Sequence, residues 1–241
     1  MSRLWKGLAT LAVAVTACFI VAGTWLYFYT ADLPPISQLE QFNPVVESAV
    51  QMRQCGGSEV VVTVVPYDQL GRYLIGAVSA AEGEPDRRNP LRATVADFAE
   101  EHSDEQHGYG RYAWQLARTL VCDGHPLERT LEELRIASAI QRRFNSTQIL
   151  TIYLNRVYLG RGVYGAAAGS KYYFKKHPSE LSLAQAAMLA GLIRSPNRYS
   201  PNLHPQQALE RRNLVIDAMS ANRAVPPEYA REAKASGLDT F

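Results

Sequence analysis

The sequence predicts a mainly helical domain behind a single transmembrane helix. Three observations carry that expectation. No charged residue occurs from Gly7 to Ala31. Helical periodicity with cap signatures recurs between Leu127 and Leu192. Only one strong β-branched run, Glu59 to Val65, interrupts it. A chain of 241 residues holds one to two domains and can bury a real core.

The uncharged run is long enough for a membrane, since about 20 apolar residues cross a bilayer core. Arg3 and Lys6 precede it, and Asp32 and Glu40 follow. The positive-inside bias leaves the N-terminus in the cytoplasm and places the remainder outside. Trp25, Tyr27 and Tyr29 stand where an outer aromatic belt would lie. Two rival readings are a cleaved signal peptide, whose apolar region runs about 7–15 residues, and a lipoprotein box at Val15-Thr16-Ala17-Cys18. The apolar run outlasts both.

Beyond the anchor, Leu33-Pro34-Pro35 ends the helix, because proline lacks the donor and clashes with the preceding turn. The residues up to Gly57 read as a polar linker with a short amphipathic piece. After the strand ends at Pro66, Leu74 to Ala81 forms an apolar helix that halts near Gly83 and Pro85. Ala99 to Gly110 is charged and reads as a loop. Helices follow over Tyr112 to Val121 and Leu127 to Phe144. Asn145, with Gln148 three positions on, caps the next helix, which is expected to reach Leu159 and stop at Gly160. That use as a cap is preferred over the glycosylation sequon Asn145-Ser146-Thr147. Ser182 and Gln185 repeat the signature ahead of Ala186 to Leu192. Pro196 and Pro201 close this part, and the tail after His204 reads as one polar helix with a short end.

A net charge of +2 gives no ground for nucleic acid binding. The five histidines are scattered, and neither a metal-ligand spacing nor a phosphate-binding glycine loop occurs. Three cysteines are too few for a disulfide framework. Cys55 and Cys122 could pair in an oxidising compartment, which their spacing does not decide.

Two carboxylates stand out. Glu82 follows the apolar helix at its C-terminal end, where the dipole disfavours a negative charge, a setting that suits a general base. The plain alternative is a solvated helix-end glutamate. Glu133 shares a helix face with Ile136, Ala137, Ile140 and Phe144, so it falls inside the apolar stripe and needs a partner. Arg129, one turn earlier, can supply it; a purely structural ion pair is the other reading. Arg118 is placed to meet an anion from the previous helix. Arg142 and Arg143 complement a helix dipole, and Lys175-Lys176 forms either a solvated face or a phosphate contact.

Several segments together resemble the biosynthetic peptidoglycan glycosyltransferases, most of all the monofunctional membrane-anchored members. Arg129-Thr130-Leu131-Glu132-Glu133 with Ala137 is similar to the third motif of that family. Ile149 through Gly160, Val163-Tyr164-Gly165 and Tyr173-Phe174 are similar to the fourth. Leu181 to Pro196 with Tyr199-Ser200-Pro201 is similar to the fifth, and Val65 to Leu70 with Ala77 to Glu82 to the approach to the first. The resemblance implies a lysozyme-like helical domain with a small membrane-proximal lobe that polymerises lipid II into glycan strands at the inner membrane. It makes Glu82 the base on the acceptor sugar and Glu133 the carboxylate beside the departing lipid diphosphate. Arg129 and Arg118 then face the diphosphate, and Gln115 matches the glutamine of the second motif. The chain divides accordingly into a cytoplasmic end (1–6), the transmembrane helix (7–31), a linker (32–57), the glycosyltransferase-like domain (58–205) and a helical tail (206–241).

The sequence departs from the family pattern in three places. Gly83 follows Glu82 where an aspartate is usual, which makes Glu84 a rival base. Gly108-Tyr109-Gly110-Arg111 replaces a Gly-Gly-Ser-Thr run. Thr130 and Glu132 stand where the third motif has lysines, and Glu132 is expected to point to solvent. The resemblance implies no organic cofactor, and a divalent cation on the diphosphate stays open. Implied partners are lipid II, the growing glycan, the membrane and other cell-wall synthesis proteins. The alternative function is a catalytically impaired member that binds lipid II or a protein partner; a third is a lysozyme-like hydrolase.

Overall fold

Within the apolar run, residues 13–25 form a helix (α1) exposed along its whole length. Among the described residues no helix is long and apolar enough to cross a membrane. The computed structural model describes residues 13–25, 36–53, 57–81, 110–121 and 124–238. Much of the span expected over 7–31 therefore lies outside the described residues, as do Cys55 and Cys122. Cys18 is a free thiol on α1. Residues 1–35 and 36–241 are two separate units.

The second unit begins with a 3-10 helix, Ile36–Phe42, that buries Leu39 and Phe42. Two antiparallel strands follow, β1 (Ser48–Arg53) and β2 (Glu59–Val64), in the register Val50↔Val62 and Met52↔Val60. The strand expected from Glu59 onward is present. Its partner lies in the stretch that reads as linker, because β1 is a polar edge strand that inserts only Met52 into the core.

Helices make up the rest. They are α2 (Arg72–Ala81), α3 (Gly110–Arg118), α4 (Pro126–Arg143), α5 (Ser146–Arg156), α6 (Ala166–Phe174), α7 (Leu183–Arg194), α8 (Pro205–Ala221) and α9 (Pro227–Ala235). The mainly helical architecture thus matches the expectation. Both capping boxes form. Asn145 Oδ1 accepts from Gln148 N and Gln148 Oε1 from Asn145 N, each at 2.9 Å, and Ser182 and Gln185 exchange the same pair of bonds.

Helix α7 is buried on every side from Leu183 to Leu192, which makes it the centre of the unit. Helix α2 packs on it through Leu74, Ala77, Val78 and Ala81, at the i, i+3, i+4, i+7 spacing of one helical face. Helix α8 covers it from another side, burying Ala208, Val215, Ile216 and Met219. The tail is therefore part of the core. It also holds two helices where the sequence reads one, since Pro226-Pro227 breaks the chain and Pro227 opens α9 at its first position. The fully buried Arg212 locks that end, donating to the carbonyls of Lys234 (3.0 Å), Ser236 (3.0 Å) and Gly237 (2.8 Å).

Helix α5 ends at Arg156, three residues earlier than the sequence suggests. Val157 takes an extended conformation, and Tyr158 and Tyr164 then bridge a turn with their rings 4.8 Å apart. At the end of that turn Gly165 has φ +83°, and a Cβ there would fall 2.7 Å from the Asn155 carbonyl oxygen. Only glycine fits. Lys175 and Lys176 have local roles, reaching Tyr172 O and Gln185 Oε1 respectively.

Arg156 is one of the buried cations. It is 7% exposed, its guanidinium lies 4.5 Å from the centre of the Phe42 ring, and its Nε has no hydrogen-bond partner. Burial pulls its pKa down to about 10. A buried charge without a carboxylate is costly, and an apolar side chain of similar volume removes that cost. Arg156→Met is therefore expected to leave the melting temperature unchanged or to raise it by a few degrees. A fall of more than about 4 °C, roughly 1–2 kcal/mol for a chain of this size, would show that the stacked guanidinium stabilises the fold.

Candidate active site

Helices α3 and α4 pack against each other, and the site forms between them. Helix α4 turns its apolar stripe inward through Ile136, Ala137 and Ile140, with Phe144 buried at its end. Glu133 lies on this stripe, as the sequence predicts, and is fully buried. Its two oxygens are held by different elements. Arg129 Nε, one turn earlier on α4, donates to Oε1 at 3.2 Å. The indole Nε1 of Trp114, from α3, donates to Oε2 at 3.0 Å. The pair expected with Arg129 is present; the indole is a partner the sequence does not announce.

Helix α3 supplies the neighbours. Trp114 and Arg118 stand one turn apart on the same helix face, and Arg118 Nη1 donates to Gln115 Oε1 at 3.2 Å. Gln115 and Arg118, both half-buried, are thus brought together beside the helix whose indole reaches Glu133. Arg129 keeps 36% of its side chain exposed, leaving guanidinium donors for an incoming anion.

Glu132 departs from the expectation of a solvent-facing carboxylate. It is 28% exposed and pairs with the buried Arg135 at 3.2 Å, because position i+3 on the same helix puts a guanidinium within reach. Thr130 is buried, and its hydroxyl donates to Pro126 O at 2.8 Å. Neither residue offers a positive charge where the family pattern has lysines.

Glu82 and its rival Glu84 lie outside the described residues. The helix leading to them is described as far as Ala81, where Arg211 Nη2 from α8 donates to the Ala81 carbonyl at 3.4 Å. A guanidinium at the C-terminal end of a helix complements its dipole. Gly191 on α7 makes room for it, since a Cβ there would sit 3.1 Å from Arg211 Cγ. Among the described residues, no group of three or more His, Cys, Asp or Glu side chains could hold a metal ion.

Residues 49–220 match the family model described as Transglycosylase. The chain belongs to the transglycosylase family. Penicillin-binding protein 1A of Aquifex aeolicus is 44% identical over 120 residues, 49% of this chain and 16% of that protein. Penicillin-binding protein 1A of Rickettsia typhi is 29% identical over 98% of this chain and 31% of its own length. A Cupriavidus necator protein named for transglycosylase activity is 29% identical, over 91% of this chain and 90% of its own. The transglycosylase chain thus spans under a third of the penicillin-binding proteins it matches and most of the Cupriavidus protein. A crystal structure of penicillin-binding protein 1A from Haemophilus influenzae aligns with 82% of this chain and 22% of its own, at 20% identity and a TM-score of 0.45.

Proposed function

We propose that this transglycosylase is a peptidoglycan glycosyltransferase with a lysozyme-like helical domain. It polymerises lipid II into glycan and releases undecaprenyl diphosphate. The observation that carries the reading is Glu133, a fully buried carboxylate held between an indole and a guanidinium that is itself part exposed. The reaction needs such a group beside a diphosphate. Glu82 takes the proton from the acceptor 4-hydroxyl, the freed oxygen attacks the donor anomeric carbon, and the bond from that carbon to the diphosphate oxygen breaks. Arg129 and Arg118 receive the charge that develops on the leaving group, and Gln115 positions Arg118. The family relationship and the order of the carboxylates along the chain support these roles.

The uncharged run over 7–31, with Arg3 and Lys6 ahead of it, supports a single span with the N-terminus in the cytoplasm and the domain outside. That placement fits a substrate whose isoprenoid tail stays in the bilayer, each buried CH₂ being worth about 0.8 kcal/mol.

A specific observation also favours a second reading, binding without turnover. Thr130 is tied to its own helix and Glu132 to Arg135, so the diphosphate side has fewer cations than the family pattern supplies. One assay separates the two. Full-length protein in detergent is incubated with labelled lipid II, and products are separated by size. Polymer is expected; retention of labelled lipid II on the protein with no polymer overturns the enzymatic reading in favour of the binding one.

A further inference from the structure

An open groove of about 870 Å³ runs along the N-terminal half of α2, far from Glu133 in sequence and sharing none of the site residues above. The 3-10 turn Tyr67–Gln69 and the start of α2 form one wall, and the α8–α9 connection with Tyr229 forms the other. Three tyrosines (Tyr67, Tyr73 and Tyr229), together with Asp68 and Arg72, give the groove its chemistry. Tyr67 and Tyr229 are 37% and 55% exposed. Arg72 Nη2 donates to the Tyr73 hydroxyl at 3.1 Å, and its guanidinium lies 4.7 Å from that ring's centre, so the pair is already arranged. Gly76 of α2 and Met219 of α8 also line the groove.

This lining suits one ligand class. A pyranose has a flat face of C–H bonds and a rim of hydroxyls, and a tyrosine offers a flat apolar face with a polar tip. A carboxylate accepts from hydroxyl groups, and a guanidinium donates to amide carbonyls and acids. A lipid tail would leave Asp68 and Arg72 facing hydrocarbon, which is costly. The volume falls within the usual range for ligand sites, about 300–1,000 Å³. The groove takes its lining from Arg72 to Gly76 of α2, so its near edge lies about 8 Å along the helix from Ala81, the end that leads to Glu82.

We propose that this groove is a second saccharide site, one that binds N-acetylated glycan and retains strand already made. The choice of sugar rests on the glycosyltransferase reading above; the site itself is tested without catalysis. Full-length protein in detergent is titrated with the tetramer of β-1,4-linked N-acetylglucosamine, and saturation transfer to the sugar ring protons is followed by NMR. Transfer is expected in the parent and in Glu133→Gln. Tyr67→Ala with Tyr229→Ala is expected to raise the dissociation constant at least tenfold, whereas Tyr229→Trp, which keeps an aromatic face at that position, is expected to bind within a few-fold of the parent. Both tyrosines are exposed, so the fold tolerates their loss; a cooperative melt checks this, and Tyr229→Ala alone carries the test if the double variant does not melt cooperatively. No transfer in the parent overturns the proposal. So does transfer that survives loss of the tyrosines but vanishes in Glu133→Gln, or a proline-rich peptide that occupies the groove where the tetramer does not. Sugar binding that depends on the groove, in a protein that makes no polymer, would overturn the enzymatic reading and leave this one standing.

Discussion

Glu133→Gln is expected to lower lipid II polymerisation by about 10²–10⁴-fold, the usual contribution of a positioned carboxyl group in proton transfer or charge stabilisation. The fold should survive. Glutamine keeps the volume of the side chain but only one of its two acceptor oxygens. Trp114 is buried away from water, whereas Arg129 is partly exposed and can turn to water. The amide oxygen therefore stays with the indole and the guanidinium swings away. The stability cost is about 1–2 kcal/mol, near the low end for an unmet polar group, because solvent meets the arginine. Trp114→Phe tests the indole: it removes the N–H together with one ring of the buried side chain. About tenfold slower polymerisation is expected, with a fall of several degrees in melting temperature from the cavity left behind. The measurement is polymer yield against enzyme concentration beside thermal unfolding of each variant. Full activity in Glu133→Gln would remove this carboxylate from the reaction.

How much of this the sequence discloses depends on the distance over which each interaction acts. The Asn145–Gln148 and Ser182–Gln185 boxes close over three residues, and the Arg129–Glu133 pair over four, so spacing alone discloses them. The burial of Glu133 is equally local, since its neighbours at i+3, i+4 and i+7 are apolar. The indole bond crosses from one helix to another, and no periodicity encodes which α3 residue meets Glu133. Arg211 is the same case in stronger form, reaching the Ala81 carbonyl from 130 residues away. Strand β1 is hidden because its outward face is polar, and a polar edge strand resembles a linker until its partner is known. Glu132 shows the limit of facing arguments: its position leans toward solvent, but a guanidinium three residues on draws it in. The break between α8 and α9 was open to reading, since Pro226-Pro227 is a local signal.

Asn155→Leu is expected to be among the most destabilising single changes in the chain. The side chain is fully buried and uses three polar bonds, all to backbone. Its Oδ1 accepts from Val65 N at 3.0 Å, and its Nδ2 donates to the carbonyls of Val65 and Phe42, each at 2.9 Å. One amide thus ties α5 to the end of β2 and to the 3-10 helix that opens the unit. Leucine matches the volume, so the change leaves no cavity; it leaves one N–H and two C=O groups without partners in a site that water does not reach. Each such group costs about 1–3 kcal/mol, so a loss of at least about 3 kcal/mol is expected. For a chain of this size that is a fall of roughly 6–12 °C in melting temperature. The loss should not be spread evenly. The 3-10 helix Ile36–Phe42 keeps Leu39 and Phe42 as anchors but loses its polar tie, so amide hydrogen exchange around Phe42 and Val65 should rise more than in α7. Asn155→Asp supplies the control. It keeps the acceptor for Val65 N and turns the two donor contacts into repulsion between oxygens, so it should be at least as damaging as leucine at neutral pH. Equal protection in all three proteins would show that the unit does not depend on this residue.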